Sequence, residues 1–232
     1  MELSVAFTDL GLKEYKEAWD YQESVHAEVL NTRDNPTATT NEGMLIFCEH
    51  PHVYTLGKSG KQNNLLINAE FLKRINAAYY QSNRGGDITY HGPGQIVGYP
   101  IFDLEKLKLG VKEYIHRIEE SIIQSLKKYL INASRIKGAT GVWLDAGTPN
   151  VRKICAIGVR VSRAVTMHGF ALNVNTDLAY FSYINPCGFA DKGVTSMHKE
   201  LGRVVNFEEV KEELKRNIAD VFHLNMTQYV PE

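Results

Sequence analysis

Three strand-like runs lie close together in the second half of the 232-residue chain. They cover residues 141–145, 151–161 and 165–175, and only the short stretches 147–150 and 162–164 separate them. Strand-forming runs joined by such short turns favour an antiparallel meander. We therefore expect a sheet in which several neighbouring strands are antiparallel.

Three amphipathic helices are expected around this sheet. Apolar residues recur at three- and four-residue steps in segments 11–31, 111–129 and 206–223. The last helix has a capping box, with Asn206 at the N-cap and Glu209 three residues later. Residues 44–48 form a further predicted strand, with 52–56 as its expected partner. Strands and helices without regular alternation predict an α+β fold, a mixed and largely antiparallel sheet with packed helices, in one domain spanning residues 1–232.

The charges of the chain nearly cancel, because 27 acidic residues oppose 26 basic ones and leave a formal net charge of -1. Phosphate contacts normally require a basic surface, so a nucleic-acid partner is not expected. A spanning helix needs about 18 consecutive apolar residues, and runs such as 154–159 are far shorter. The start of the chain, with acidic Glu2, does not resemble a secretory signal. We predict a cytoplasmic protein that does not bind membranes.

The cysteines exclude two kinds of site. Cys48, Cys155 and Cys187 are odd in number and far apart in sequence. This spacing matches neither a disulfide framework nor a C-x-x-C metal site. No metal site is expected.

A glycine-dense segment is the first candidate site. Five of the 18 glycines fall between residues 85 and 98. Glycines allow a ligand to approach backbone N–H groups closely, and polar residues at 84, 89, 90, 91 and 95 place hydrogen-bonding groups beside them. A hairpin turn alone would explain the pair Gly85-Gly86. The segment lacks the pattern of a Walker A loop or of a dinucleotide fingerprint, and we interpret it as a substrate-binding loop.

The strand 153–161 is the second candidate. Side chains alternate across a strand, so Lys153 is expected to share a face with Cys155, Ile157 and Val159. The lysine then begins an otherwise apolar face. It either extends to solvent at the strand end or is desolvated, in which case burial lowers its pKa and makes the neutral amine accessible.

Cys187 is the third candidate. Most free cysteines are buried and inert, but Pro186 and Gly188 flank this one in a predicted turn. A turn can expose a thiol at the edge of a cleft. The thiolate is the nucleophilic form, and a nearby cation such as Lys153 would lower the thiol pKa from about 8.5.

Five collinear segments together carry a family resemblance. They are Glu-His-Pro-His-Val-Tyr-Thr-Leu-Gly (49–57), Arg-Gly-Gly-Asp-Ile-Thr-Tyr-His-Gly-Pro-Gly-Gln (84–95), Lys-Ile-Cys-Ala-Ile-Gly-Val-Arg (153–160), His-Gly-Phe-Ala-Leu-Asn (168–173) and Asn-Pro-Cys-Gly (185–188). The chain resembles the lipoyl(octanoyl) transferase family over roughly residues 44–215. The resemblance implies the α+β fold that this family shares with lipoate and biotin protein ligases. One departure is Cys155, where family members commonly have alanine; we interpret Cys155 as a packing residue.

The resemblance also implies an activity. An octanoyl or lipoyl group would pass from octanoyl-acyl carrier protein to a lysine of lipoyl domains, through a thioester on Cys187. The implied acceptors are the lipoyl domains of 2-oxoacid dehydrogenase complexes and the H protein of the glycine cleavage system. Lys153 would lower the pKa of the Cys187 thiol. No cofactor is implied, and no ATP is needed because the thioester arrives activated. The implied acyl site comprises Arg84, Gly85, Gly86, Asp87, Ile88, Thr89, Tyr90, His91, Ala156, Ile157, Gly158, Gly169, Phe170 and Ala171.

Other assignments remain open from sequence. An ATP-dependent lipoate or biotin protein ligase of the same fold would activate a free acid and needs no cysteine nucleophile. A non-catalytic protein that sequesters acylated carriers is a further alternative. His91 or His168 could replace Lys153 as the base for Cys187. For the acidic carrier, a basic docking surface is predicted from six residues, which are Lys127, Lys128, Arg135, Lys137, Arg160 and Arg163.

Overall fold

The computed structural model describes residues 3–35, 42–185 and 193–229. The strands in these ranges are β1 (Leu3–Leu12), β2 (Gly43–Glu49), β3 (Val53–Leu56), β4 (Ala78–Gln81), β5 (Ile88–His91), β6 (Gln95–Phe102), β7 (Ala133–Ile136), β8 (Ala139–Leu144), β9 (Arg152–Ser162), β10 (Val165–Asn173), β11 (Gly193–Val194) and β12 (Leu224–Gln228). The α-helices are α1 (Tyr15–Asp34), α2 (Ala69–Arg74), α3 (Val111–Lys127), α4 (Met197–Leu201) and α5 (Phe207–Phe222). Two short 3-10 helices cover Gln62–Asn64 and Leu178–Tyr183. In these ranges no helix is long and apolar enough to cross a bilayer.

Nine of the described strands form the large sheet, in the order β12-β1-β2-β6-β10-β9-β8-β7, with β11 paired to β9. The strands from β2 to β7 along this path are antiparallel neighbours, whereas β1 is parallel to both β12 and β2. The predicted meander corresponds to β8, β9 and β10. These observations confirm the predicted α+β class and the mixed, largely antiparallel sheet.

Helices cover both faces of the large sheet. On one face, α3 and α5 bury apolar side chains such as Ile118 and Leu214 against Phe47 and Phe170. On the other face, α1 packs Ala18 and Val25 against strands β2 and β6. This burial supplies most of the hydrophobic stabilisation of the fold.

Helix α5 has the capping box that its sequence predicts. The Asn206 side chain accepts a hydrogen bond from the Glu209 amide, and Asn206 Nδ2 donates to the Glu209 side chain at 3.0 Å. The first contact satisfies a backbone N–H that the first turn of a helix leaves without an intrahelical partner, and the second joins the two side chains.

The first helix begins later than predicted, at Tyr15 instead of residue 11, and extends to Asp34. Residues 3–12 form β1, which lies between β12 and β2 in the large sheet. The partners of β1 are distant in sequence, so a local pattern does not reveal them.

Strand β3 does not pair with β2, so the predicted partnership of 52–56 with 44–48 is wrong. Instead β3 lies between β4 and β5 in a small three-stranded sheet. The small sheet positions the glycine loop (residues 84–87), which connects β4 to β5. Residues 92–94 then lead back to β6, so the glycine-dense segment connects the two sheets.

Candidate functional site

An outer cavity of about 240 Å³ lies between the glycine loop and the meander of the large sheet. Its wall includes Arg84 and Thr89 from one side and Trp143 and Lys153 from the other. Tertiary structure therefore brings together two segments that were predicted separately to be functional.

A smaller inner cavity, of about 50 Å³, adjoins the outer one. Both cavities are lined by the same five residues, Arg84, Thr89, Ala156, Ile157 and Ala171. The inner wall also contains residues that sequence reasoning did not assign to the acyl site, namely Tyr15, Val97, Tyr99 and His168. Tyr15 had the sequence signal of a helix core residue, which does not distinguish it from a residue facing a cavity.

Most of the residues that the resemblance assigned to the acyl site line one of these cavities. Gly86, Asp87 and Ile88 line the outer cavity, whereas His91, Gly158, Gly169 and Phe170 line the inner one. Of the fourteen assigned residues, all within the described ranges, Gly85 and Tyr90 line neither. The Gly85 amide donates to Val159 O at 2.9 Å, and Tyr90 packs in the apolar cluster of the small sheet. Gly85 and Tyr90 therefore contact residues around the cavities and do not line them.

Arg84 holds the glycine loop in shape. Its guanidinium is almost fully buried, and it donates to Thr55 O at 2.6 Å, to Asp87 O at 2.6 Å and to Gly85 O at 3.0 Å. Burial lowers the pKa of Arg84, but a guanidinium stays protonated in proteins. Because carbonyl oxygens take up most of its donors, Arg84 contributes a fixed positive charge and a rigid loop.

A β-bulge directs Lys153 into the outer cavity. Trp143 pairs with Lys153 while its neighbour Val142 pairs with Cys155, so Ile154 is an extra residue in β9. Both Ile154 and Cys155 are fully buried in the core. The prediction that Lys153 and Cys155 share a face is therefore wrong, because a bulge interrupts the alternation of side chains.

The Lys153 amine lies in the cavity wall. Lys153 is half-buried, and its Nζ lies 4.5 Å from the centroid of the Trp143 ring. An ammonium at this distance is attracted to the face of an indole ring. The contact restrains the amine against Trp143, which also lines the outer cavity.

The structure describes two of the three cysteines. Cys187 lies outside the described residues. Cys48 and Cys155 are fully buried, and burial raises the pKa of each thiol. Cys155 packs in the core cluster, which agrees with its interpretation as a packing residue.

The chain on either side of the Cys187 segment reaches the outer cavity. Ile184, Gly193 and Val194 all line it. The Asn185 amide donates to Asn64 O at 2.8 Å, and Val194 pairs with Lys153 in the large sheet. Val194 thus lies beside Lys153 on one side of the segment, and Asn185 is held by Asn64 on the other.

Two histidines line the inner cavity in a neutral state. Burial lowers the pKa of His91 and of His168 to about 3. His91 Nδ1 donates to Gln95 Oε1 at 2.8 Å, and His168 Nε2 donates to Asn83 Oδ1 at 2.6 Å. An imidazole whose conjugate acid is this strong accepts a proton from a thiol poorly, which favours Lys153 over either histidine as the partner of a nucleophilic thiol.

Three of the six residues of the predicted basic docking surface are paired with carboxylates. Lys128 pairs with Glu213 at 2.7 Å, Arg135 Nε with Glu119 at 3.1 Å, and Arg163 with Asp34 at 2.7 Å. These pairs reduce the positive potential that a docking surface requires. These three residues are weak candidates for carrier docking.

Comparison with known proteins identifies the family. Residues 14–219 match the lipoyl protein ligase A/B catalytic domain. The chain belongs to this family. An octanoyltransferase of Bacteroides fragilis (strain YCH46) is 56% identical over 211 residues, which cover 91% of this chain and 95% of that protein. An octanoyltransferase of Christiangramia forsetii is 52% identical over 231 residues, which cover 97% and 99%. The predicted family membership is confirmed.

Solved structures of lipoyl and biotin protein ligases share the fold. A bi-partite lipoate protein ligase from Thermoplasma acidophilum has a TM-score of 0.71 at 15% identity, covering 100% of this chain and 88% of that one. A lipoate-protein ligase A bound with ATP has a TM-score of 0.69 at 14% identity, covering 99% and 90%. Biotin protein ligase from Aquifex aeolicus is more distant, with a TM-score of 0.51 at 11% identity, covering 96% and 70%.

The lipoyl protein ligase A/B match begins at residue 14, about 30 residues before the predicted start of the resemblance at residue 44. It therefore includes α1. This helix carries Tyr15, a wall residue of the inner cavity, so the added segment contributes directly to the site.

Proposed function

We propose that this protein is an octanoyltransferase that moves an octanoyl or lipoyl group from acyl carrier protein to a lysine amine of lipoyl domains, through a thioester on Cys187. The observation that supports this most is the adjoining pair of cavities, whose walls combine the glycine loop, Lys153 and described residues on both sides of the Cys187 segment. Relatives named octanoyltransferase that align over more than nine-tenths of the chain support the same reaction.

The proposed reaction has two acyl-transfer steps. The Cys187 thiolate attacks the donor thioester carbonyl, a new C–S bond forms, the carrier C–S bond breaks, and the departing carrier thiolate takes up a proton. The neutral lysine amine of the acceptor then attacks the enzyme thioester. An amide forms, the amine loses a proton, and the Cys187 thiol is restored. No ATP is consumed, because both steps transfer an acyl group that is already activated.

The roles proposed for this chain's side chains follow from their charges. The Lys153 ammonium stabilises a thiolate nearby and so lowers the thiol pKa of Cys187. The fixed cation of Arg84 favours negative charge that develops on the acyl carbonyl oxygen. Since most Arg84 donors already bind backbone oxygens, its contribution is mainly the field of its charge.

The proposed partners are those of the activity. Octanoyl-acyl carrier protein is the donor. Lipoyl domains of 2-oxoacid dehydrogenase complexes and the H protein of the glycine cleavage system are the acceptors. The reaction is proposed to take place in the cytoplasm.

Intact-protein mass spectrometry tests the reaction. Wild type, Cys187→Ala and Cys155→Ala are incubated with octanoyl-acyl carrier protein, without ATP and without acceptor. We expect one octanoyl adduct on the wild type and on Cys155→Ala, none on Cys187→Ala, and loss of the adduct when a lipoyl domain is added. Cys155→Ala is the matched control, because its thiol is buried in the core.

Adding ATP, free octanoate and a lipoyl domain in further samples distinguishes the alternatives. Octanoylation of the lipoyl domain that requires ATP and free octanoate would assign the protein to the ligases. An adduct that persists in Cys187→Ala would refute the nucleophile. Binding of the acylated carrier without any turnover would favour a sequestering protein.

A further inference from the structure

A tyrosine of the first helix lines the inner cavity. Tyr15 is the first residue of α1, it is 2% exposed, and it lines the inner cavity but not the outer one. Lys153 lines the outer cavity but not the inner one. Because five residues line both cavities, Lys153 and Tyr15 lie in the walls of two adjoining cavities.

Neighbouring side chains hold the Tyr15 ring in place. Its hydroxyl donates to Ser82 Oγ at 3.0 Å, and its ring stacks on His91 with centroids 6.1 Å apart. The rings of Tyr80 and His50 lie at 5.4 Å. A ring restrained on several sides has little freedom to change rotamer. Tyr15 therefore forms a rigid part of the cavity wall.

The inner cavity is uncharged on its tyrosine and histidine walls. His91 and His168 are neutral at physiological pH, and burial raises the pKa of both Tyr15 and Tyr99. The positive charge of Arg84 is directed at backbone carbonyl oxygens. Apart from Arg84, the residues that line the inner cavity are uncharged and mostly buried, which accommodates an alkyl tail better than a chain that ends in a charged group.

The resemblance already assigns Gly158, Gly169 and Phe170 of this cavity to the acyl site, and we propose that Tyr15 in its wall limits the length of the acyl chain. This inference rests on the proposed function, in which the thioester carbonyl lies beside Lys153. The ring blocks chains that extend beyond the inner cavity, and Ser82 and His91 position the ring. Tyr15 is thus a specificity residue contributed by α1.

The expected effect follows from burial of methylene groups. Each buried CH₂ contributes about 0.8 kcal/mol, so space for two more carbons corresponds to about 15-fold in kcat/KM. We measure kcat/KM for carrier-bound acyl chains of six to twelve carbons. In Tyr15→Ala, the ratio of decanoyl to octanoyl transfer should rise about tenfold above the wild-type ratio.

Three further variants serve as a second test and as controls. Tyr15→Leu removes the ring but keeps part of the buried volume, and it is expected to shift the ratio in the same direction if Tyr15→Ala does not fold. Tyr15→Phe keeps the ring and should keep the wild-type ratio within about twofold. Tyr21→Ala is the matched control on the same helix, because Tyr21 contacts Met44 and lines neither cavity.

The proposal and the function can fail separately. If the wild type transfers octanoyl groups and a folded Tyr15→Ala or Tyr15→Leu variant keeps the wild-type chain-length profile, Tyr15 does not limit the chain. If the wild type transfers nothing, calorimetry of free fatty acids of six to twelve carbons compares the chain-length preference of binding in the wild type and in the Tyr15 variants. Equal chain-length preference in wild type and variants would then overturn the inference.

Discussion

The Gly85 amide donates a hydrogen bond of 2.9 Å to Val159 O, and this bond joins the glycine loop to β9 of the large sheet. The contact is possible because Gly158 has no side chain. A Cβ at Gly158 would lie 2.9 Å from Gly85 O and 3.3 Å from the Arg84 guanidinium. The loop that shapes both cavities therefore depends on a glycine in a different sheet.

Gly158→Ala is predicted to displace the glycine loop. Forcing a methyl group into this packed site costs about 1–3 kcal/mol, and we expect kcat/KM for octanoyl transfer to fall by at least about tenfold because the cavity wall moves. Urea unfolding and transfer kinetics measure the two effects. Gly110→Ala is the control, since a Cβ there meets no atom within 4 Å. Wild-type kinetics in Gly158→Ala would show that the close approach does not matter.

Lys153→Met is predicted to raise the pKa of the reactive thiol. Methionine keeps much of the side-chain volume and removes the charge, so the thiolate loses a stabilising cation. The rate of alkylation by iodoacetamide as a function of pH reports this pKa. Because Cys48 and Cys155 are buried, labelling should depend on Cys187, and Cys187→Ala gives the background. An identical pH profile in Lys153→Met would contradict the proposed role of the lysine.

The buried histidines predict acid sensitivity. Burial lowers the pKa of His50 to about 4, and those of His91 and His168 to about 3, from 6.5. Below pH 6.5 the unfolded chain binds protons that the folded protein does not, so the free energy of unfolding falls as pH falls towards these values. Each histidine contributes about 1.4 kcal/mol per pH unit in this window and nothing above it.

Urea unfolding between pH 7.5 and 4.5 measures this dependence. Above pH 7 these histidines should not change the free energy of unfolding. Below pH 6 the free energy of unfolding should fall steeply. His168→Gln removes one titrating group and should reduce the slope by about 1.4 kcal/mol per pH unit. An unchanged slope in that variant would contradict the assignment of His168 as buried and neutral.

Leu130→Gly is predicted to stabilise the protein. Leu130 has a φ of 60° and is 93% exposed. It occupies the C′ position of a Schellman motif after α3, since the Ile131 amide donates to Leu126 O and the Leu130 amide to Lys127 O.

Glycine adopts this left-handed conformation without the strain of a Cβ, so we expect a gain of about 1 kcal/mol. Thermal unfolding measures it. Leu130→Ala is the control, because it shortens the side chain and keeps the Cβ, and it should give little gain. Equal stabilisation by both variants would attribute the effect to the exposed side chain.

Local patterns predicted much of this architecture. The capping box at Asn206 and Glu209 and the short turns of the meander depend on interactions between residues close in sequence, and the structure reproduces them. The family segments likewise identified the cavity walls, because each segment is contiguous in the chain.

Tertiary structure decided the rest. The position of β1 between β12 and β2, and the separate sheet of β3, depend on pairings between distant segments. The bulge at Ile154 directs Lys153 into the cavity, and it can be recognised only from the pairing register of β8 and β9. Tyr15 reaches the inner cavity only because α1 packs against the large sheet. A sequence specifies local conformation and chemical identity, whereas register and packing between distant segments determine which side chains meet.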